Sequence, residues 1–241
     1  MTKHELPSVA LLAGGLGTRI RSVGGNVPKV LLPVEGKPFI AHVLAWLSRQ
    51  GVRRVVLCLG HAADEVEAAA LEYKPGALEL VPSREETGLG TGGAVRLALP
   101  LLEDTFFVVN GDTYLEATLP VLFARHLGHA AVATLSLIRS EQAAEKGSVR
   151  VAPDGRVLEF MEKTGEGTGF VNGGVYVVDT TVFLECPEGA PCSLERALLP
   201  GAIARGELVL GIRVDAPFVD IGLPEDYLRV RDRLPRVEDW R

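Results

Sequence analysis

The stretch Val9-Ala10-Leu11-Leu12-Ala13-Gly14-Gly15 joins an apolar run to a glycine-rich loop that continues through Gly17-Thr18-Arg19. A continuous apolar run of this kind is typical of a strand buried on both faces of a parallel sheet. The glycines therefore lie just beyond the carboxyl end of that strand, where open α/β sheets bind ligands. Backbone N–H groups of such a loop can close around phosphate oxygens, and Arg19 and Lys29 add positive charge. The stretch predicts an α/β fold with a polyphosphate site at this edge of the sheet.

Strand-like and helix-like patterns alternate through the first half of the chain. This alternation implies parallel strands joined by right-handed helical crossovers. The predicted strands are Ser8–Ala13, Arg53–Gly60, Ala77–Val81 and Thr105–Val109, and the predicted helices are Pro38–Gln50, Ala62–Leu71 and Gly92–Leu102.

The rhythm changes after about Ala130, where strand-like segments follow one another. The turn Pro153-Asp154-Gly155 is typical of a hairpin. We therefore predict one α/β domain with an inserted antiparallel portion. The predicted strands of this half are Ala131–Ile138, Val149–Val151, Val157–Met161 and Phe170–Val178, and the predicted helices are Ser193–Ala204 and Pro224–Leu234.

Charge and composition exclude several classes of protein. The 241 residues carry a formal net charge of −6. Because no basic cluster is present, nucleic acid and anionic membrane are disfavoured as partners. No apolar run approaches the roughly 20 residues of a membrane-spanning helix, and the N-terminus has no signal-peptide pattern. Three cysteines fit no disulfide framework, so we expect a protein of the reducing cytoplasm.

The glycine loop has competing interpretations. A Walker A loop is excluded because no Gly-Lys-Ser/Thr follows at the required spacing. A dinucleotide fingerprint would use Gly15-x-Gly17, but Ile20 occupies the position of its third small residue and Glu35 lies in a turn. A purely structural turn also stays open. The adjacent Thr18-Arg19 and a later lysine favour a phosphate site over both.

Two aspartates each end a short apolar run. Phe106–Val109 is followed by Asn110-Gly111-Asp112, and Phe218-Val219 is followed by Asp220. Mg²⁺ typically uses one or two such carboxylates together with substrate phosphates and water. For Asp112 the alternative is an Asn-Gly-Asp turn that caps the next segment, and the sequence leaves open whether the two aspartates meet.

Further segments are candidate ligand contacts. Thr87–Gly93 precedes a helix whose N-terminal amides can meet a base or a phosphate, although a loop leading into a capped helix fits equally well. Glu162-Lys163 ends a strand, where a surface ion pair would be unremarkable. Asn172-Gly173-Gly174 interrupts a β pattern and predicts a bulge or a close backbone approach.

His126 and His129 lack a third ligand nearby, so we expect solvated histidines rather than a metal pair.

Taken in order, these motifs resemble those of the sugar-1-phosphate nucleotidylyltransferases, nearly end to end. The family opens with Gly-Gly-x-Gly-Thr-Arg and then Pro-Lys, here Gly14–Arg19 and Pro28-Lys29. Its later motifs match Leu89-Gly90-Thr91, Gly111-Asp112, Glu162-Lys163, Asn172-x-Gly174 and Asp220-Ile221-Gly222. The chain is most similar to the bacterial guanylyltransferases of D-glycero-D-manno-heptose 1-phosphate and mannose 1-phosphate, through Gly90–Ala94, Asn110–Tyr114 and Asp220–Tyr227. One departure is Pro28-Lys29-Val30, where many relatives have Pro-Lys-Pro.

The resemblance implies a Rossmann-like three-layer fold with a mixed, mostly parallel central sheet and an inserted antiparallel sugar-binding portion. It implies a single domain over 1–241, with a nucleotide-binding half over about 1–130 and a sugar-binding half over about 131–241. The nucleotide would be bound by Leu12, Ala13, Gly14, Gly15, Gly17, Thr18, Arg19, Gly90, Thr91 and Gly111. The sugar phosphate would be bound by Glu162, Lys163, Asn172 and Gly174, and the cofactor Mg²⁺ by Asp112 and Asp220. The implied catalytic residues are Arg19, Lys29 and Asp112.

In the implied reaction an oxygen of the sugar 1-phosphate attacks the α-phosphorus of a nucleoside triphosphate, and pyrophosphate leaves. The nucleophile is already anionic, so positioning and charge neutralisation replace a general base. The resemblance favours GTP, with UTP, CTP and dTTP as rivals, and leaves the sugar and the oligomeric state open, a homodimer included. A regulatory subunit that binds nucleotide sugars without turnover is the alternative function. A glycosyltransferase with an Asp-x-Asp motif is disfavoured because Asn110 occupies the position of the first acid.

Overall fold

The protein is described by a computed structural model over residues 5–15, 17, 25, 27–141, 143, 147–161 and 167–230. In chain order, the described strands are β1 (Val9–Leu12), β2 (Pro33–Val34), β3 (Lys37–Pro38), β4 (Arg54–Leu59), β5 (Glu79–Arg84), β6 (Thr105–Asn110), β7 (Thr113–Leu115), β8 (Ala133–Ser140), β9 (Ser148–Val151), β10 (Val157–Met161), β11 (Gly169–Asp179), β12 (Val209–Arg213) and β13 (Phe218–Asp220). The described α-helices are α1 (Phe39–Arg49), α2 (Ala63–Tyr73), α3 (Gly90–Ala98), α4 (Leu119–His129), α5 (Leu199–Ala204) and α6 (Pro224–Val230).

A mixed central sheet runs through the described residues in the order β12-β8-β11-β6-β1-β4-β5. Strand β1 pairs in parallel with β4 and β6, β4 pairs in parallel with β5, and β8 pairs in parallel with β12. Strand β11 runs antiparallel to both of its neighbours, β6 and β8. The predicted mixed, mostly parallel sheet is therefore confirmed.

Helices cover both faces of this sheet. On β1, Val9 and Leu11 belong to one buried cluster and Ala10 to another, because successive side chains of a strand point to opposite faces. Helices α1, α2, α4 and α6 contribute to the first cluster, and α3 and α5 to the second. The result is the predicted three-layer arrangement, with strands buried on both faces.

Three small antiparallel pairs are attached to the central sheet in the described part of the chain: β9 with β10, β7 with β13, and β2 with β3. The β9–β10 hairpin is the antiparallel insertion that the Pro153-Asp154-Gly155 turn predicted. The β7–β13 pair matters most for function, because it brings residues 218–220 beside the carboxyl end of β6.

Several predicted boundaries differ from the structure. The strand predicted over Ala77–Val81 instead spans Glu79–Arg84, and it tolerates Pro82 because β5 lies at the edge of the sheet. The helix predicted from Ser193 begins with a π-helical turn over Leu194–Leu198 before α5. The helix predicted to Leu234 is described as far as Val230, and the rest of that prediction lies outside the described residues.

The expectation of solvated histidines near the end of α4 is wrong for His126. Its side chain is buried, with Nδ1 3.0 Å from Thr134 Oγ1 and Nε2 3.1 Å from Asp179 Oδ1. His129 is exposed, as expected. Within the described ranges, none of the helices is long and apolar enough to cross a membrane.

Candidate active site

A cleft of about 590 Å³ opens at the carboxyl ends of β1, β4, β5 and β6. This is the edge of the sheet at which the glycine loop predicted a phosphate site. The residues that line it are Leu12, Gly14, Gly15, Gly17, Lys29, Val30, Cys58, Glu85, Gly88, Gly90, Thr91, Ala94, Asn110, Gly111, Asp112 and Pro191.

Two neighbouring glycines of the loop are used differently. A Cβ on Gly14 would lie 2.8 Å from the backbone nitrogen of Gly60, so the two backbones approach too closely for any other residue. A Cβ on Gly15 would have no described atom within 4 Å. Gly14 therefore serves the packing of β1 against β4, whereas Gly15 leaves space at the cleft wall. Thr18 and Arg19 lie outside the described residues.

The first strand and the loop after β6 also meet backbone to backbone. The Gly111 N–H donates to the Leu12 carbonyl at 2.9 Å, and a Cβ on Gly111 would collide with that oxygen. Ala13 is buried, and its N–H donates to Cys58 O at 2.9 Å. Leu12 and Gly111 line the cleft, but Ala13 is not among the described lining residues.

Lys29 and Asp112, both predicted to be catalytic, form an ion pair at the cleft. The Lys29 Nζ lies 2.5 Å from Asp112 Oδ2, with the two side chains 18% and 33% exposed. Lys29 begins a short 3₁₀ turn, Lys29–Leu31, directly after Pro28. The turn and the β6 loop thus place opposite charges together in a half-buried position.

Asp220 belongs to the same cluster. Strands β7 and β13 pair so that Asp220 stands opposite Thr113, and the Ile221 N–H donates to the Asp112 carbonyl at 3.0 Å. The Gly222 N–H donates to Asp220 Oδ1 at 2.6 Å. A Cβ on Gly222 would lie 2.7 Å from Asp220 Oδ1 and 3.5 Å from Lys29 Nζ. The structure therefore brings the two predicted metal ligands to one place, a point that the sequence left open.

The donor set suits a hard cation that arrives with phosphate. Two carboxylates and one ammonium leave one net negative charge at the cluster. Across the described ranges, no group of three or more His, Cys, Asp or Glu side chains is placed to hold a metal. Mg²⁺ usually takes one or two carboxylates and completes its shell with substrate phosphates and water, so Asp112 and Asp220 fit it.

Gly90 and Thr91 line the cleft, but both are also engaged by the segment before α5. Gly90 has φ +71°, and a Cβ there would lie 2.6 Å from Cys192 O. The Thr91 hydroxyl donates to Glu195 Oε2 at 2.9 Å and accepts from Leu194 N–H at 2.9 Å. These internal contacts join the first turn of α3 to residues 192–195.

Two of the predicted sugar-phosphate residues form a bulge in β11. The Gly174 N–H donates to Asn172 Oδ1 at 3.0 Å, and the pairing of β11 with β8 shifts register between Asn172 and Tyr176. Gly174 has φ +73°, and a Cβ there would touch Thr113 Oγ1 and lie 3.2 Å from Asn110 Nδ2. The bulge therefore abuts the turn that carries Asp112. Glu162 and Lys163 lie outside the described residues.

Sequence reasoning missed Glu85, which lines the cleft at the end opposite the charged cluster. The Glu85 N–H extends the β4–β5 pairing by donating to Leu59 O at 2.9 Å. Its Oε2 accepts from Leu89 N–H at 3.2 Å, and burial raises the pKa of the carboxyl. Its position two residues before the glycine-rich stretch Thr87–Gly93 was the one available clue.

Comparisons with known proteins point to one family. The sequence profile described as nucleotidyl transferase matches residues 9–236. The D-glycero-alpha-D-manno-heptose 1-phosphate guanylyltransferase of Aneurinibacillus thermoaerophilus is 34% identical over 226 residues, which are 93% of this chain and 96% of the relative. The mannose-1-phosphate guanylyltransferase of Mycobacterium tuberculosis is 34% identical over 232 residues, which are 95% of this chain and 64% of the relative. HddC from Yersinia pseudotuberculosis, solved with GMP-PN, has a TM-score of 0.84 and 32% identity, covering 94% of this chain and 99% of that chain.

Proposed function

Because this chain belongs to the nucleotidyl transferase family, we propose that it transfers the GMP unit of GTP to a heptose or mannose 1-phosphate and releases pyrophosphate. Relatives that match most of this chain carry the names of heptose- and mannose-1-phosphate guanylyltransferases. The observation that carries the proposal is the cluster of Lys29, Asp112 and Asp220 at one end of a cleft lined by Gly14 and Gly15.

In this reaction an oxygen of the sugar 1-phosphate attacks the α-phosphorus of the nucleotide. One P–O bond forms there while the bond to the β-phosphate breaks, and pyrophosphate departs with the electron pair. The attacking oxygen is already anionic, so no side chain has to remove a proton. The site's task is to hold two anionic substrates in line and to balance their charge.

Lys29 is the described cation placed for that task. Its ammonium group is held at the cleft by Asp112 at 2.5 Å, so it is oriented before substrate arrives. A preorganised charge stabilises the transition state without a reorganisation cost during the reaction. Thr18 and Arg19 stay predictions for the triphosphate, as do Glu162 and Lys163 for the sugar phosphate.

We assign Mg²⁺ to Asp112 and Asp220, on the strength of their shared position beside Lys29. When bound, the ion would neutralise charge on the phosphate oxygens around the α-phosphorus. The assignment predicts that EDTA abolishes turnover and that added Mg²⁺ restores it.

We assign the base end of the cleft to Glu85. A carboxylate only accepts hydrogen bonds, and the edge of guanine offers two adjacent donors, N1–H and the N2 amino group. Uracil and thymine present one N–H between two carbonyl groups, and a carboxylate repels the carbonyl oxygens. Glu85 directly follows β5, which lies three strands from β6 in the sheet, so the base and the reacting phosphate would lie at opposite ends of the cleft.

We also propose the organisation and location that the sequence suggested. The single domain over 1–241, with nucleotide and sugar halves meeting near residue 130, is supported by pairing of β11 with β6 across that boundary. A cytoplasmic location is supported by Cys58, Cys186 and Cys192, which are free thiols in the structure.

The test is a matrix of GTP, UTP, CTP and dTTP against several sugar 1-phosphates with Mg²⁺, read as pyrophosphate release. We expect release with GTP and a heptose or mannose 1-phosphate. Absence of release in every well would overturn the proposal, and would favour a binding subunit if GTP still binds.

A matched pair of variants tests the base assignment in the same matrix. Glu85→Gln replaces one acceptor by an amide donor, so we expect the preference for GTP over UTP to fall at least tenfold. The control is Glu86→Gln, which changes an exposed neighbour. Equal preferences in the two variants would remove Glu85 from base recognition.

A further inference from the structure

A chain of hydrogen bonds links the two sides of the candidate active site. The Thr91 hydroxyl donates to Glu195 Oε2 at 2.9 Å, and the Tyr176 hydroxyl donates to Glu195 Oε1 at 2.9 Å. The Asn172 amide then donates to the Tyr176 hydroxyl. We call this chain from Thr91 to Asn172 the Glu195–Tyr176 bridge.

The central residue of the bridge, Tyr176, is buried, and its hydroxyl donates in one direction, to Glu195. Tyr176 has no exposed surface, and its single hydroxyl proton is given to Glu195. Burial, together with the nearby charge of Glu195, raises the pKa of Tyr176 well above its ordinary value, so the hydroxyl keeps its proton. A buried polar network in which each donor has an acceptor couples the positions of its members.

The nucleotide end of the bridge is the first turn of α3. Thr91 lines the cleft, and Glu195 lies in the π-helical turn Leu194–Leu198. The Leu194 N–H donates back to the Thr91 hydroxyl at 2.9 Å, so the helix and the π-turn are joined in both directions. Short π-helical turns are rare and occur frequently at functional sites.

The other end is the β11 bulge, beside the turn that carries Asp112. Asn172 uses its amide nitrogen on Tyr176 and its oxygen on Gly174 N–H, so it joins the bridge directly to the bulge. Gly174 lies so close to that turn that a Cβ there would collide with Thr113 Oγ1 and lie 3.2 Å from Asn110 Nδ2. A change at Thr91 can therefore reach the sugar-phosphate side through consecutive contacts.

Asn110 gives an independent reason to place a substrate between the two ends. Its side chain lies near the Tyr176 hydroxyl, and the residue lines the cleft. Its Oδ1 is buried and has no hydrogen-bond partner within the described part of the chain. Buried acceptors are normally satisfied, so this oxygen is suited to accept from a hydroxyl group of a bound substrate.

We propose that Glu195 and Tyr176 are positioning residues that make the sugar-phosphate side respond to nucleotide binding. A nucleotide seated against Gly90-Thr91 fixes the first turn of α3, and the bridge then fixes the bulge at Asn172–Gly174. This inference rests on the proposed function, because it requires a nucleotide in the cleft. By linkage, the sugar phosphate must tighten nucleotide binding by the same factor.

Hydrogen exchange with GTP and Mg²⁺ tests the bridge without turnover, since no acceptor sugar is present. In the wild type we expect GTP to protect the backbone amides of residues 88–94 and also those of residues 172–177. In Tyr176→Phe, which removes the central hydroxyl, protection of 88–94 should remain and protection of 172–177 should be lost.

A matched control separates the bridge from a general loss of stability. Thr105→Val removes another hydroxyl hydrogen bond, from Thr105 Oγ1 to Asp179 Oδ1 at 2.6 Å, at the opposite end of β6 and β11. We expect this variant to lose stability as well but to keep GTP-induced protection of both segments.

Kinetics gives a second readout of the same proposal. Tyr176→Phe should raise KM for the sugar 1-phosphate about tenfold, in the range of ordinary coupling factors, while KM for GTP measured without saturating sugar stays within about twofold. Glu195→Gln keeps one acceptor oxygen of the two, so its effect should be intermediate. Thr105→Val should leave both KM values unchanged.

The outcomes separate the two proposals. If GTP protects neither segment in the wild type, the proposed function fails. If residues 88–94 are protected and 172–177 are not, or if Tyr176→Phe behaves as the wild type, the bridge is contradicted while the proposed function stands. Should Tyr176→Phe not fold, Glu195→Gln decides, and unchanged protection and KM values there contradict the bridge.

Discussion

On the β1 side of the cleft, backbone lies directly against backbone. Gly14 packs against Gly60, and Gly111 packs against Leu12. On the β11 side, a bulge is held by side chains that include Tyr176. Glycine contacts tolerate almost no change in shape, whereas a hydrogen-bonded network can have two arrangements. We infer that the β1 side is a rigid cradle and that the β11 side is the adjustable part of the site.

Asp112→Ala should have the largest effect, because Asp112 lies where the two sides meet. Its loss removes one assigned Mg²⁺ ligand and the partner that holds Lys29, so turnover should fall by about 10³-fold. Pyrophosphate release measures this, with Asp154→Ala in the exposed β9–β10 turn as the control. Activity within tenfold of the wild type would separate Asp112 from the chemistry.

Gly14→Ala and Gly15→Ala test the rigid cradle as a pair. The first places a Cβ 2.8 Å from the Gly60 nitrogen, and such overpacking should lower the free energy of unfolding by about 1–3 kcal/mol. The second meets no described atom within 4 Å, so stability should be unchanged while KM for GTP rises. Urea unfolding of both variants checks this, and equal stability losses would contradict the division of roles.

Acidification should weaken GTP binding through Glu85. Burial raises the pKa of this carboxyl, so it takes up a proton at a higher pH than an ordinary glutamate and then loses its acceptor for guanine. KM for GTP should therefore rise as the pH falls toward 5, more steeply in the wild type than in Glu85→Gln. Glu86→Gln should keep the wild-type profile, and parallel profiles for all three proteins would refute the assignment.

The smallest expected effect concerns the scaffold of the β1 side. Burial lowers the pKa of His42 below its ordinary value of 6.5, outweighing the hydrogen bond between Nε2 and Val34 O. The unfolded chain therefore binds more protons below about pH 6.5, so the free energy of unfolding decreases as the pH falls through this range.

Unfolding measured at several pH values checks that sign. His42→Gln should reduce the acid-side slope, whereas His129→Gln, at an exposed position of α4, should leave it unchanged. The same slope in wild type and His42→Gln would show that His42 does not contribute to the pH dependence.

The difference between the two sides also explains what the sequence could predict. The apolar run before Gly14 and the later apolar runs that alternate with helices predicted the parallel strands, because period and composition are local properties. The consecutive strand-like segments after Ala130 predicted antiparallel pairing. The position of β11 between β6 and β8, however, depends on strands that are distant in sequence. His126 was misjudged for the same reason, since its partners Thr134 and Asp179 lie on other elements.

The candidate site divides in the same way. Gly15, Lys29 and Asp112 could be found from motifs. Asp220 joins them because β7 pairs with β13. These strands have three residues each, too few to show an apolar periodicity in the sequence. Tyr176 and Glu195 come together only through the fold, so local spacing could not indicate them.

A crystal structure with GTP and Mg²⁺ tests the central claim most directly. We expect the triphosphate in the cleft with its α-phosphate within ion-pair reach of Lys29, and the guanine N1–H and N2 amino groups at the Glu85 carboxylate. A triphosphate bound elsewhere, or a guanine edge turned away from Glu85 with the phosphates far from Asp112, would contradict the account.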